Sequence, residues 1–354
     1  MYRLDCAIWE TTLACNMNCK HCGSSAGDAR KDELSLEECY RLCEELAVEG
    51  CDLVTLMGGE PFVRPDWKQI SWCIKDLGMD LGYVTNGLLV PTIINDLTLL
   101  EPLVVGISLD GIKETHDSIR KKGSYDAVIR ALDLLEEVDI QITIITTLSK
   151  TNFKELHKIK DIISERKINW QLQIGLPFGN FDPELTLNRE EFYASAMFIT
   201  AEGLNNKFNE IPVVGAHCYG YHSHLLPNNK NWKGCTAGIN TIGITSDGSI
   251  LGCLSMGNDK FIEGNVRDRS FSDIWNDPNS FAYNRQFSRE SLGENCINCF
   301  FGESCKGGCN SSSIHHTKAF HNSPFCFKQI EESLFEAKRY RKETKWLKQK
   351  GVKI

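Results

Sequence analysis

No apolar run in this chain approaches the ~20 residues that a membrane-spanning helix needs. Asp5 and Glu10 break the one early apolar stretch, so a secretory signal is missing too. Membrane insertion and export are excluded on that reading, and a cytoplasmic protein is expected. Basic blocks are also lacking, and at a net charge of −8 nothing points to nucleic acid as a partner. Neither internal repeats nor low-complexity segments occur. What remains is an ordinary globular composition, 42% hydrophobic and 24% charged, in 354 residues, a length that favours two domains.

Cysteine is the excess, with sixteen in the chain. A protein of this length builds its own core and, without an export signal, does not meet the oxidising conditions that favour disulfides. Reduced thiolates holding metal fit better.

Residues 4–13 read as a β-strand, and three cysteines follow in the loop at its carboxyl end. Ser35 and Glu38 form a capping box that opens a helix with apolar positions at Leu36, Cys39, Leu42, Cys43 and Leu46. Strand 52–57 closes on Gly58-Gly59-Glu60-Pro61. The alternation continues through helix 66–77, strand 81–85, helix 91–100, strand 103–109 and helix 124–137. Strand 140–147, helix 153–164, strand 170–176 and helix 189–208 complete it. Six strand-plus-helix units predict an α/β fold, a parallel sheet with right-handed crossovers closed part-way into a (β/α)6 barrel. Its polar and glycine motifs fall at strand carboxyl ends, where such folds keep their sites.

After residue 212 the alternation stops, and Cys, Gly and Asn accumulate. A hairpin turning at Asp247-Gly248 is expected there, inside a small Cys-rich α+β domain with little core of its own, held together by metal. The expected division is 1–212 for the barrel, 213–328 for the Cys-rich domain and 329–354 for a helix packing on the barrel.

The first three cysteines, Cys15, Cys19 and Cys22, are spaced C-x3-C-x2-C. Three thiolates at that spacing wrap one corner of a [4Fe–4S] cube and leave one iron without a protein ligand. Structural zinc is the competing reading, but zinc takes four closed ligands, and no nearby Cys or His completes this set. Cys6, Cys39, Cys43, Cys51 and Cys73 lie in apolar periodic segments and read as small hydrophobes of the core.

The triplet resembles the signature of radical S-adenosylmethionine (SAM) enzymes. That resemblance implies that Gly58, Gly59 and Glu60 receive the SAM amino group, glycines allowing close backbone approach and the carboxylate pairing with an ammonium. It implies Ser108 and Arg130 as holders of the SAM carboxylate, an Arg fork suiting such a group. Asn86 is expected toward the ribose, and His21 stands where the family's backbone meets the adenine. Arg120 is read either as a contact to substrate or SAM or as part of a structural ion pair. No general base or hydrogen donor is assigned.

Downstream, Cys235-x12-Gly248-x4-Cys253 and Cys296-x2-Cys299-x5-Cys305-x3-Cys309-x16-Cys326 resemble the SPASM-type domain, which binds two auxiliary [4Fe–4S] clusters. Zinc knuckles are the alternative for Cys296-x2-Cys299 alone. Carried over from the family, Cys235, Cys253 and Cys309 serve the first auxiliary cluster, and Cys296, Cys299, Cys305 and Cys326 close the second. The first is then one ligand short. Either Cys218 loops back to it or that iron is open.

The resemblance implies three clusters and a 5′-deoxyadenosyl radical, made by reductive cleavage of SAM, that abstracts hydrogen from a peptide. Oxidation or cross-linking of a ribosomal precursor peptide is the expected outcome, as in peptide-modifying maturases. A small-molecule dehydrogenase or epimerase is the alternative. Sulfatase maturation is disfavoured because Leu254 stands where those enzymes carry an Asp after Cys253. A closed-cluster electron-transfer protein ranks last, having no use for Glu60 or Arg130. A flavodoxin- or ferredoxin-type donor is expected. Strand one begins too early for the N-terminal leader-binding domain many such maturases carry, so a precursor peptide is expected either to be presented by a separate leader-binding protein or to be recognised by the barrel directly.

Overall fold

The computed structural model describes residues 2–205, 212–221, 223, 225, 232–257 and 259–349. Its barrel half runs β1 (Cys6–Thr12), α1 (Leu36–Val48), β2 (Leu53–Gly58), α2 (Trp67–Asp76), β3 (Asp80–Thr85), α3 (Val90–Leu100) and β4 (Val104–Ser108). It continues with α4 (Lys113–Ile119), α5 (Ser124–Glu137), β5 (Ile142–Leu148), α6 (Leu156–Ile163), β6 (Ile168–Ile174), α7 (Arg189–Asn205) and β7 (Val213–Gly215). Strands β1 to β7 pair in sequence order, every neighbour parallel. The end of the long helix expected over 189–208 lies outside the described residues.

Local chemistry sets the boundaries. The Ser35 hydroxyl accepts the Glu38 N–H while the Glu38 carboxylate accepts the Ser35 N–H, which closes the expected box and contributes about 1 kcal/mol. Helix α1 buries Cys39, Leu42, Cys43 and Leu46 in the hydrophobic core. Strands β5 and β6 alternate buried and half-buried positions along their whole length, as period-two strands with one packed face should.

The cysteine-rich half is less independent than its composition suggests. Strands β8 (Thr241–Ile244) and β9 (Ser249–Leu251) form the hairpin turning at Asp247-Gly248, with β10 (Gly264–Asn265) at the edge. β8 lies parallel to β1, so one sheet runs β10-β9-β8-β1-β2-β3-β4-β5-β6-β7. Helices α8 (Phe271–Asn276), α9 (Ala282–Arg285), α10 (Gly302–Cys305) and α11 (Asn310–Thr317) follow, then α12 (Phe327–Gln349). Ile242, Ile244, Ile250, Phe271, Ile274, Trp275 and Phe281 join the same hydrophobic core as the barrel strands. The hairpin of this half borrows the barrel's edge strand, and its apolar side chains share the barrel's core. The start of α12 packs on α7, where Tyr193 donates to the buried Glu331 carboxylate at 3.0 Å.

Candidate active site

The loop after β1 is held at several points. The Cys15 N–H donates to the Gly27 carbonyl (2.9 Å), the Lys20 N–H to Ile119 (2.9 Å), and the Asn180 N–H to the Cys22 carbonyl (2.8 Å). Two of its thiols accept backbone N–H groups, Cys15 from Met17 and Cys22 from Ala26, both at 3.4 Å. Burial pushes the Cys15 thiol up to about 11. Cys15, Cys19 and Cys22 all line one cavity of about 260 Å3, together with Gly58, Gly59, Asn86, Ser108 and Arg120. The lining thus comes from the carboxyl ends of β1, β2, β3 and β4, as expected for a parallel α/β site.

The two glycines have a sharper role than ligand access. A Cβ on Gly59 would sit 2.2 Å from the Ala14 carbonyl oxygen and 2.4 Å from that of Leu13. Gly58 has φ +147 and faces the Thr12 carbonyl equally closely. The Gly59 and Glu60 N–H groups donate to Thr12 and Ala14, so the β2 turn is pressed against the backbone that carries the triplet.

Glu60 is corrected. Its side chain is fully buried and is not among the cavity-lining residues. One carboxylate oxygen accepts the Thr85 hydroxyl (2.8 Å) and the Phe62 N–H (3.5 Å), and the other accepts the Asn86 N–H (2.8 Å). Burial raises this carboxyl to about 7, against the pull of those hydrogen bonds. Glu60 thus braces the turns after β2 and β3. Asn86, so held, donates its amide to Asn16 Oδ1 at 2.7 Å, beside the triplet.

Arg130 stands apart from the cavity. It lies on the exposed face of α5 and does not line the cavity. Arg120 does line it, at the end of α4, a helix the periodicity did not reveal. Its Nε donates to Asp110 at 2.5 Å, and the ion-pair reading is realised in a buried place. Asp110 is the residue that sequence reasoning passed over. Fully buried, it also pairs with His21 Nε2 (2.8 Å) and accepts the Thr147 N–H (2.9 Å), and its own N–H donates to His116 Nδ1 (3.1 Å). Burial alone would raise its carboxyl, but Arg120 and His21 prevail and hold it well below the usual range. The signal was present as Ser108-Leu109-Asp110-Gly111 at the end of β4.

Downstream, Cys296, Cys299, Cys305 and Cys326 line one small cavity. Cys309, at the start of α11, has its thiol pushed well up by burial and then by Cys235, Cys218 and Cys253 around it. Among the described residues, no three His, Cys, Asp or Glu side chains converge tightly enough to hold a single metal ion. Cys39, Cys43 and Cys51 are buried and Cys6 and Cys73 half-buried, within core-facing segments as expected.

Comparison with known proteins agrees with this layout. The radical SAM superfamily matches residues 9–163, and the SPASM iron–sulfur cluster-binding domain matches residues 235–300. The chain is 27% identical over 351 residues to Fe-coproporphyrin III synthase of Methanosarcina barkeri, spanning 92% of this chain and 88% of that one. It is 28% identical over 323 residues to mycofactocin maturase MftC of Mycolicibacterium smegmatis, spanning 87% and 79%. In fold it matches Streptococcus suis SuiB bound to S-adenosylmethionine, with a TM-score of 0.73 at 17% identity, over 92% of this chain and 76% of that one.

The donor set fits these cofactors. Three soft thiols around one cavity suit iron–sulfur ligation. The Ser108 hydroxyl and the Arg120 guanidinium suit a carboxylate, and His21 Nδ1 is a buried polar atom with no partner in this wall. The chain is a radical SAM enzyme carrying a SPASM-type iron–sulfur domain in its C-terminal half.

Proposed function

We propose that this protein reductively cleaves SAM and abstracts hydrogen from a precursor peptide, oxidising or cross-linking it. One observation carries the reading: a single cavity gathers the three thiols of the first loop with Gly58, Asn86 and Ser108 from three further strand ends and Arg120 from the end of α4. The bound cluster and SAM supply the 5′-deoxyadenosyl radical that takes the hydrogen atom. In this reading Cys15, Cys19 and Cys22 hold the cluster, and Ser108 with Arg120 orients the SAM carboxylate. Gly58, Gly59 and Glu60 keep the β2 turn close to the triplet, and Asn86 steadies the loop. Two auxiliary clusters, held by the downstream cysteines, bring the total to three. An external flavodoxin- or ferredoxin-type donor delivers the electron.

Two features support an extended substrate. A second cavity of about 290 Å3 adjoins the first, the two sharing Gly23, Ser24, Phe178 and Leu254 in their walls. A relative of similar identity is named as a maturase. The similarity to an Fe-coproporphyrin III synthase favours a second reading, in which the substrate is a tetrapyrrole. The test offers reconstituted enzyme precursor peptides encoded beside its gene and, separately, an iron tetrapyrrole from which Fe-coproporphyrin III is made. Peptide-dependent mass change with matching 5′-deoxyadenosine supports the first reading; turnover of the tetrapyrrole alone replaces it with the second.

A further inference from the structure

We infer that the Tyr283 hydroxyl donates a hydrogen bond to sulfur of the first auxiliary cluster and so sets how readily that cluster takes an electron. The inference rests on the proposed reading that Cys235, Cys253 and Cys309 hold this cluster.

Tyr283 lies on α9, and its neighbour Asn284 fixes where that short helix sits. The buried Asn284 amide donates to the carbonyl oxygens of Cys235 (2.8 Å) and Ala237 (2.7 Å), which ties α9 to the first of these cysteines. From another side, His321 Nε2 donates to the Tyr283 carbonyl at 2.6 Å. The ring is held too, stacked on Phe320 with centroids 4.3 Å apart and planes within 8°. With backbone and ring both pinned, the direction of the hydroxyl is set. It abuts Gly252, the residue between β9 and Cys253. A Cβ on Gly252 would lie 1.9 Å from the hydroxyl oxygen and 3.3 Å from the Ala237 carbonyl carbon. The hydroxyl therefore fills the space of a missing side chain, where the segment that follows Cys235 meets the one that leads into Cys253.

In that place the hydroxyl is buried, and among the described residues it has no hydrogen-bond partner. A buried hydroxyl left so is destabilising. The stack on Phe320 and the pinned backbone ask only for a ring, and phenylalanine would supply one without that cost. A ligand on the two cysteines accounts for the hydroxyl: thiolate and sulfide accept hydrogen bonds, and a phenol is protonated at neutral pH. Hydrogen bonds to cluster sulfur favour the reduced, more negative state over the oxidised one and so raise the reduction potential.

The test uses the full chain with Cys15, Cys19 and Cys22 all changed to Ala, which removes the cluster expected to bind SAM. After anaerobic reconstitution it should carry roughly eight irons, from two cubes. A lower count defeats the two-cluster reading itself, before Tyr283 is altered. Redox titration followed by electron paramagnetic resonance then gives two midpoint potentials. Tyr283→Phe keeps the ring stack; it should make reduction of one cluster roughly tenfold less favourable, a fall of about 59 mV, and leave the other in place. Two unmoved potentials, or two that fall together, overturn the inference. So does loss of iron from the Tyr283→Phe protein, because the hydroxyl would then hold the fold rather than tune the cluster.

Discussion

Removing the Asp110 carboxylate should loosen the active site more than any other single change at a residue that faces no ligand. The carboxylate is fully buried and accepts Arg120 Nε at 2.5 Å, pairs with His21 Nε2 at 2.8 Å and accepts the Thr147 N–H at 2.9 Å. Asp110→Ala leaves the Arg120 guanidinium buried without its counter-charge, a loss of about 3–5 kcal/mol. The orphaned Thr147 N–H adds to that, though not additively. For a cooperative unit of barrel size this corresponds to a fall in Tm of roughly 6–20 °C. The assay is anaerobic thermal unfolding of the metal-free protein, followed by circular dichroism. Because Asp110 titrates below its unfolded value, its stabilisation is complete above about pH 4 and is lost only as pH falls below that. The deficit of the variant should therefore be flat between about pH 6 and 8. Arg120→Leu added to Asp110→Ala should recover part of it, since the stranded charge is then gone. A Tm within about 2 °C of the parent, or a double variant whose losses simply add, would refute the reasoning.

His116 is fully buried, and burial, with the Arg120 charge second, lowers its pKa to about 4. Its unfolded value lies near 6.5, so the folded state binds fewer protons between the two, and roughly 3 kcal/mol of stability should be lost as pH falls from about 6.5 to 4. His116→Gln should flatten that slope in urea titrations of the metal-free protein. Gly59→Ala drives a Cβ into the backbone of Leu13 and Ala14; iron should fall from roughly twelve to roughly eight per chain, with the auxiliary clusters kept. Arg120→Ala should weaken SAM binding at least about tenfold by calorimetry, the scale of one charge-assisted hydrogen bond, while Arg130→Ala, on an exposed helix face, should leave it unchanged.

How much was legible follows from which interactions are local. The Ser35–Glu38 box, the Asp247-Gly248 turn and the alternation of β5 and β6 are encoded within a few residues, and each appears as read. The grouping of the first three cysteines on one cavity is likewise a short-range matter. What escaped is long-range. α4 is short, and its end at Arg120 is set by Asp110, ten residues earlier and on a different element. Arg130 has the better helical context but faces outward, and a charge pattern does not say which way a helix turns its arginine. The hydrogen bonds Glu60 accepts come from Thr85 and Asn86 at the end of the next strand, a pairing its own segment does not encode. The parallel docking of β8 on β1 joins residues more than two hundred positions apart, and no periodicity announces it.

The most direct test of the account is anaerobic reconstitution with iron and sulfide, followed by dithionite reduction in the presence of SAM. 5′-Deoxyadenosine and methionine should form in equal amounts, and Cys15→Ala, Cys19→Ala and Cys22→Ala should each abolish them. Full cluster loading of roughly twelve irons without any 5′-deoxyadenosine would contradict it.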